Sequence, residues 1–157
     1  MAGMKIKTVL LTLGVVLAAG ACFAAEPYMG TWKLNEGKSK IAAGTTKNTT
    51  VTYSSTMMGK VKVTTDGMDG AGKASHTSWT GKFDGKDYAL SGDPSTDVRA
   101  YTKVNDRTLA LTGKKGGKVV NTGRVVVSAD GKSRTVTVNG TTMKGKKFKN
   151  TAVYDKE

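Results

Sequence analysis

Few side chains in this sequence are equipped for chemistry. Histidine occurs once, at His76, and cysteine once, at Cys22. A metal centre draws several ligands from His, Cys and carboxylates, and a single imidazole does not supply them. His76 as a general base would need a positioned nucleophile or substrate group, and the sequence marks none, so it reads as an ordinary strand histidine. Asp66-Gly67-Met68-Asp69-Gly70-Ala71-Gly72 sets two carboxylates in a glycine-rich stretch. It lacks the further ligands and the closing Glu of a calcium loop and reads as a hairpin turn. There is no phosphate-binding loop, nucleophile elbow or zinc helix. No catalytic residue, metal or cofactor is expected, and the chain is not read as an enzyme.

The arginines are the most informative polar residues. Arg99, Arg124 and Arg134 fall inside runs of strand character, and Arg107 sits in a turn after Val104. The simplest expectation is that those three point outward. Arg134, however, shares a face with Val136 and Val138. If that face is interior, Arg134 is a buried cation that requires a partner or an anionic ligand. Arg124 lies with Val120 and Val126, whereas Val119, Val125 and Val127 fill the opposite face, so its side stays open.

These side chains must be positioned by β-structure. After residue 30 only Glu36 to Ala43 has room for a helical turn or two, limited by Gly37 and Gly44. Short β-rich runs occupy the rest: Gly30–Asn35, Asn48–Ser55, Lys60–Thr65, Ala74–Thr80, Lys86–Ser91, Asp97–Val104, Thr108–Gly113, Val119–Ser128, Ser133–Asn139 and Lys147–Tyr154. Their spacing suits a sandwich or barrel. Asp66-Gly67, Asp84-Gly85, Gly116-Gly117, Asp130-Gly131 and Asn139-Gly140 are expected as hairpin turns. Such connections are too short for parallel crossovers, so neighbouring strands must run antiparallel. With no helices to cover it, the sheet must cover itself. The expected fold is an all-β antiparallel meander of about ten short strands closing into a barrel.

The chain opens like a secretory signal peptide. Lys5 and Lys7 precede the uncharged apolar run Thr8 to Ala21, and small residues follow. The run is too short for a stable spanning helix. Residues 1–24 are read as a cleaved leader and 25–157 as one domain, with cleavage after Ala24 or Ala25. The alternative is lipidation of Cys22 through Ala19-Gly20-Ala21-Cys22, although Ala19 stands where a lipobox usually has Leu. Soluble export is preferred, to the periplasm or beyond, with anchoring at Cys22 as the other reading. No intrachain disulfide can form.

The sequence carries 25 Lys and Arg against 12 Asp and Glu, a net charge of +13. Without Lys5 and Lys7 the domain remains strongly basic, mostly through Lys, a hydrated point charge suited to outer faces and strand edges. Attraction to an anionic membrane surface or polymer is the sharper reading. Nucleic acid is not expected, given export and aromatics at only 6%. The domain is expected to be monomeric.

Gly30-Thr31-Trp32-Lys33-Leu34 resembles the opening of lipocalin-like and fatty-acid-binding barrels, where Gly-x-Trp begins the first strand. Ala152-Val153-Tyr154-Asp155-Lys156 is similar to the closing strand of the fatty-acid-binding proteins, commonly Arg-x-Tyr followed by charge. With Gly30 to Lys40 and Ser128-Ala129-Asp130-Gly131-Lys132, the chain also resembles small exported bacterial proteins described as lipocalin-like. The resemblance implies a lipocalin-like barrel whose interior holds a small apolar or lipid ligand. Ala152 stands where the pattern has Arg, so the carboxylate clamp is incomplete. Trp32, Arg124, Arg134 and Tyr154 are the ligand-binding residues it points to here, with Arg124 or Arg134 replacing the missing cation. The two-helix lid of that family does not fit in Glu36 to Ala43, which implies an open cavity or a side-chain-filled barrel. A filled barrel would make the chain a basic structural or interaction protein of the envelope.

Overall fold

The computed structural model describes residues 26–157. The expected leader, its cleavage sites and Cys22 lie outside the described residues. Ten strands follow one another: β1 (Gly30–Leu34), β2 (Lys47–Ser55), β3 (Val61–Met68), β4 (Ala74–Gly81), β5 (Tyr88–Ser91), β6 (Val98–Asn105), β7 (Thr108–Lys115), β8 (Lys118–Val127), β9 (Ser133–Thr141) and β10 (Lys147–Lys156). Each pairs antiparallel with its sequence neighbours, and β1 pairs with β10 to close the barrel. The closing register sets Trp32 opposite Lys156 and Leu34 opposite Tyr154. Closure gives every strand a partner on both sides, which suits a fold held without disulfides. The expected all-β meander barrel is the observed one.

Alternation sorts the side chains. Val51 and Tyr53 of β2, Val61, Val63 and Thr65 of β3, Thr77 and Trp79 of β4, Leu109 and Leu111 of β7, Val125 and Val127 of β8, and Ala152 and Tyr154 of β10 are buried. One end of the barrel is plugged. Tyr28 is fully buried beneath it, its hydroxyl donating to the Asn105 carbonyl at 2.8 Å, while Trp32 Nε1 donates to the Tyr28 carbonyl at 2.8 Å. Phe83 packs edge-on against Tyr28 and stacks on Trp79, and Trp79 meets Tyr88 and Tyr101 edge-on. The other end carries the β1–β2, β3–β4, β5–β6, β7–β8 and β9–β10 connections. A single 3-10 turn, Glu36–Lys38, capped by the Asn35 side chain, is all that forms in the expected helical stretch.

Two expected turns are strand interior instead. Asp66-Gly67 lies within β3, and the turn follows at Asp69, whose Oδ1 accepts from the Ala71 and Lys73 amides at 2.9 Å each. Asn139-Gly140 lies within β9, and the turn follows at Thr142–Lys146. These glycines are required by crowding, not by a turn. A Cβ on Gly67 would stand 2.1 Å from the Lys47 carbonyl oxygen, where β2 bulges between Asn48 and Thr50. One on Gly140 would meet the Val120 carbonyl at 2.6 Å and the Phe148 ring at 2.9 Å.

Gly67→Ala should therefore destabilise the barrel by about 2 kcal/mol or more, as an overpacked site does. Gly37→Ala, whose Cβ would meet nothing closer than Asn35 Oδ1 at 3.7 Å, should stay within about 0.5 kcal/mol. Urea midpoints of the two variants check the contrast.

Candidate ligand-binding site

Between the plugged end and the open end lies a cavity of about 530 Å³. That is within the range of small-molecule sites, roughly 300–1,000 Å³. Its walls are apolar, from Val51, Val63, Leu111, Val125, Val136 and Val138. A hydroxyl pair, Thr65 and Thr77, crosses them at 2.7 Å. The mouth is framed by residues 43–46, 69–71, 93–95 and 141–146, and no helix among the described residues spans it.

Arg134 forms the deep end. The face that carries Val136 and Val138 is interior, so Arg134 does not point outward as the simplest expectation had it: it is 2% exposed. Its guanidinium carbon lies 5.0 Å from the Trp32 ring centroid, 5.0 Å from that of Tyr53 and 4.8 Å from that of Tyr154. Strands β9, β10, β1 and β2 are consecutive around the barrel and supply one member each. The ring faces offer electron density to the cation. Arg134 Nε and Nη1 are buried without a hydrogen-bond partner, and no ion pair among the described residues includes an arginine.

A second guanidinium joins from β6. Arg99 and Tyr101 face the lumen, and the row Val98, Thr102, Val104 faces out, with Val104 48% exposed. Arg99 is thus inward too, again against the simplest expectation, and its Nε is buried and unpartnered. The carboxylates that line the cavity, Asp69 and Asp93, stand at the mouth. Asp69 closes its own turn, and Asp93 Oδ1 accepts from the Ser95 amide at 2.8 Å and hydroxyl at 2.6 Å. The deep cavity is therefore cationic.

The expected residues Trp32, Arg134 and Tyr154 converge at one point. Arg124 does not join them: it is exposed on the outer face of β8, opposite to buried Val125 and Val127, between Ala110 and Thr137 of the neighbouring strands. Arg99, Tyr53 and Tyr101 also line the lumen, although none of them is among the expected ligand-binding residues. The signal for Arg99 was Tyr101, two positions on and so on the same face, whose ring needs the core more than Ala100 does. His76 is exposed on the outside, its Nδ1 2.7 Å from Asp66 Oδ1. No group of three His, Cys, Asp or Glu among the described residues is placed to hold a metal ion. No protein-family model matches the sequence, and no curated protein does.

Burial pushes the Tyr154 phenol up to about 12, against the pull of the Arg134 charge, and raises Tyr53 in the same way. The folded state thus holds the Tyr154 proton more tightly than the unfolded chain, whose phenol titrates near 10. Its contribution is complete below pH 10 and is lost as the pH rises from 10 through 12, on the order of 2–3 kcal/mol in all. Tyr154→Phe also loses the bond from the hydroxyl to the Asn48 carbonyl at 3.0 Å, about 1 kcal/mol at pH 8. Urea unfolding at pH 8 and pH 11.5 should show the wild type losing more stability over that interval than Tyr154→Phe does.

Proposed function

We propose that this protein is an exported, monomeric carrier of a small amphipathic anion, a carboxylate with an apolar tail. The head group sits on Arg134 and the tail runs up the valine-lined wall toward the mouth. One observation carries this reading: a fully buried guanidinium with two unpartnered nitrogens at the closed end of an open cavity. A buried, unpaired charge is strongly unfavourable, and no carboxylate among the described residues pairs with it. A ligand oxygen would complete the set, with Arg99 on the neighbouring wall as a second donor. The open volume speaks against the filled scaffold.

The reading is of a binding protein rather than an enzyme. The ionisable groups deep in the lumen are arginines and tyrosines, and burial raises Tyr53 and Tyr154. A general base poised near neutrality is what proton-transfer chemistry needs, and His76 lies outside the barrel.

Titration with medium-chain fatty carboxylates and the matching alcohols, followed by tryptophan fluorescence, tests the proposal. A charged hydrogen bond contributes about 1.5–3 kcal/mol, so the carboxylate should bind roughly 10- to 100-fold more tightly than its alcohol. Arg134→Met should erase that difference while leaving alcohol binding nearly unchanged. Equal affinity for acid and alcohol, or a preference untouched by Arg134→Met, would reject the proposal.

A further inference from the structure

The open end is not uniform. Two neighbouring hairpin turns, β7–β8 and β9–β10, carry Lys115, Lys118, Lys144, Lys146 and Lys147, all exposed. None of them forms an ion pair among the described residues. Residues 115–120 and 139–149 contain no carboxylate. Asp97, from outside these turns, accepts from the Gly116 amide at 2.9 Å. Interspersed with these lysines are two exposed apolar side chains, Met143 at 76% and Val119 at 57%.

The seam between the two hairpins is also open. Pairing of β8 with β9 runs from Val127–Arg134 to Asn121–Gly140 and stops there, although β8 begins at Lys118. Each hairpin stays intact beyond that point: Lys115 faces Lys118 and Lys114 faces Val119, while Lys147 faces Thr141. β8 thus runs on from Val120 to Lys118 without a paired partner in β9. The groove between them is lined by Val119, Val120, Thr141, Lys147 and Phe148. Of these, Val120, Thr141 and Phe148 line the main cavity as well.

We infer that the β7–β8 and β9–β10 turns dock the mouth of the barrel onto an anionic lipid surface, with the groove between β8 and β9 facing the lipid as a side passage to the lumen. Charge complementarity supplies the attraction: clustered lysines without counter-ions meet phosphate head groups. Met143 and Val119 decide between lipid and a soluble anionic polymer, because a polymer offers their side chains nothing to enter, whereas the head-group boundary accepts apolar side chains flanked by lysine. The passage rests on the carrier reading above; the docking face itself does not.

Sedimentation with phosphatidylglycerol–phosphatidylcholine vesicles and with pure phosphatidylcholine vesicles tests it. The protein should bind the anionic vesicles, with affinity falling steeply with salt. Lys144→Glu/Lys146→Glu should weaken that binding by about tenfold or more. Lys62→Glu/Lys82→Glu, an equal charge change at the plugged end, should alter it less than about twofold, as a distant and screened site does. Met143→Ser should weaken it severalfold. Equal losses for the two charge pairs, or no preference for anionic vesicles, would overturn the inference. So would soluble polyphosphate binding just as tightly with no effect of Met143→Ser, since the partner is then a polymer. Carboxylate titration of the same variants separates the two proposals. Lost vesicle binding by the wild type with intact carboxylate binding sinks the docking face alone, and the reverse result sinks the carrier alone.

Discussion

A guanidinium enclosed by three aromatic rings is the constraint around which the interior is arranged. Bringing a charge out of water is unfavourable by several kcal/mol, and each ring returns about 0.5–2 kcal/mol. The rings make the burial tolerable, while Nε and Nη1 of Arg134 are left without a hydrogen-bond partner. The members of the cage come from β9, β10, β1 and β2, the strands on both sides of the seam that closes the barrel. The site exists only when the chain ends have met. A ligand bound there, as proposed, would stabilise the closed barrel by mass action.

The interior has a direction. Tyr28, Trp79 and Phe83 fill the plugged end, the aromatic cage lies just above it, and valines lead from the cage to an open mouth. The missing lid follows from the first connection. With Gly37 and Gly44 at its ends and Asn35 capping a single 3-10 turn, the stretch between β1 and β2 has no length in which to build a helix pair. Openness at one end and charge at the other are the two features on which the carrier proposal rests.

The strands were legible because their signals are local. Period-two alternation in Lys60–Thr65 and Ser133–Asn139, with glycine-rich punctuation between runs, places all ten with ends shifted by a few residues. Antiparallel pairing and closure follow from short connections and the absence of covering helices. The turns at Asp66-Gly67 and Asn139-Gly140 were misread because a glycine fitted to a close backbone approach looks the same in sequence as one fitted to a turn. Only the neighbouring Lys47 and Val120 carbonyls distinguish the two.

The site was half legible for a different reason. Trp32, Arg134 and Tyr154 lie on runs whose apolar face was clear, so their convergence follows from the fold. Arg124 sits on a run where both faces carry valine, and Arg99 on one whose row of Val98, Ala100 and Val104 lies on the opposite face. There the inward side is decided by bulk across the lumen, with Val125 and Tyr101 winning their faces, and a single strand does not show that. The carrier proposal requires Arg134 to be kept for a ligand rather than for stability, and the unfolding free energy of ligand-free Arg134→Met tests this most directly. Replacing a buried cation by an apolar side chain of similar length is often neutral or stabilising, so the variant should match the wild type to within about 1 kcal/mol or exceed it. A loss of more than about 3 kcal/mol would mean that the cage is a structural centre in its own right, not a site kept for a ligand.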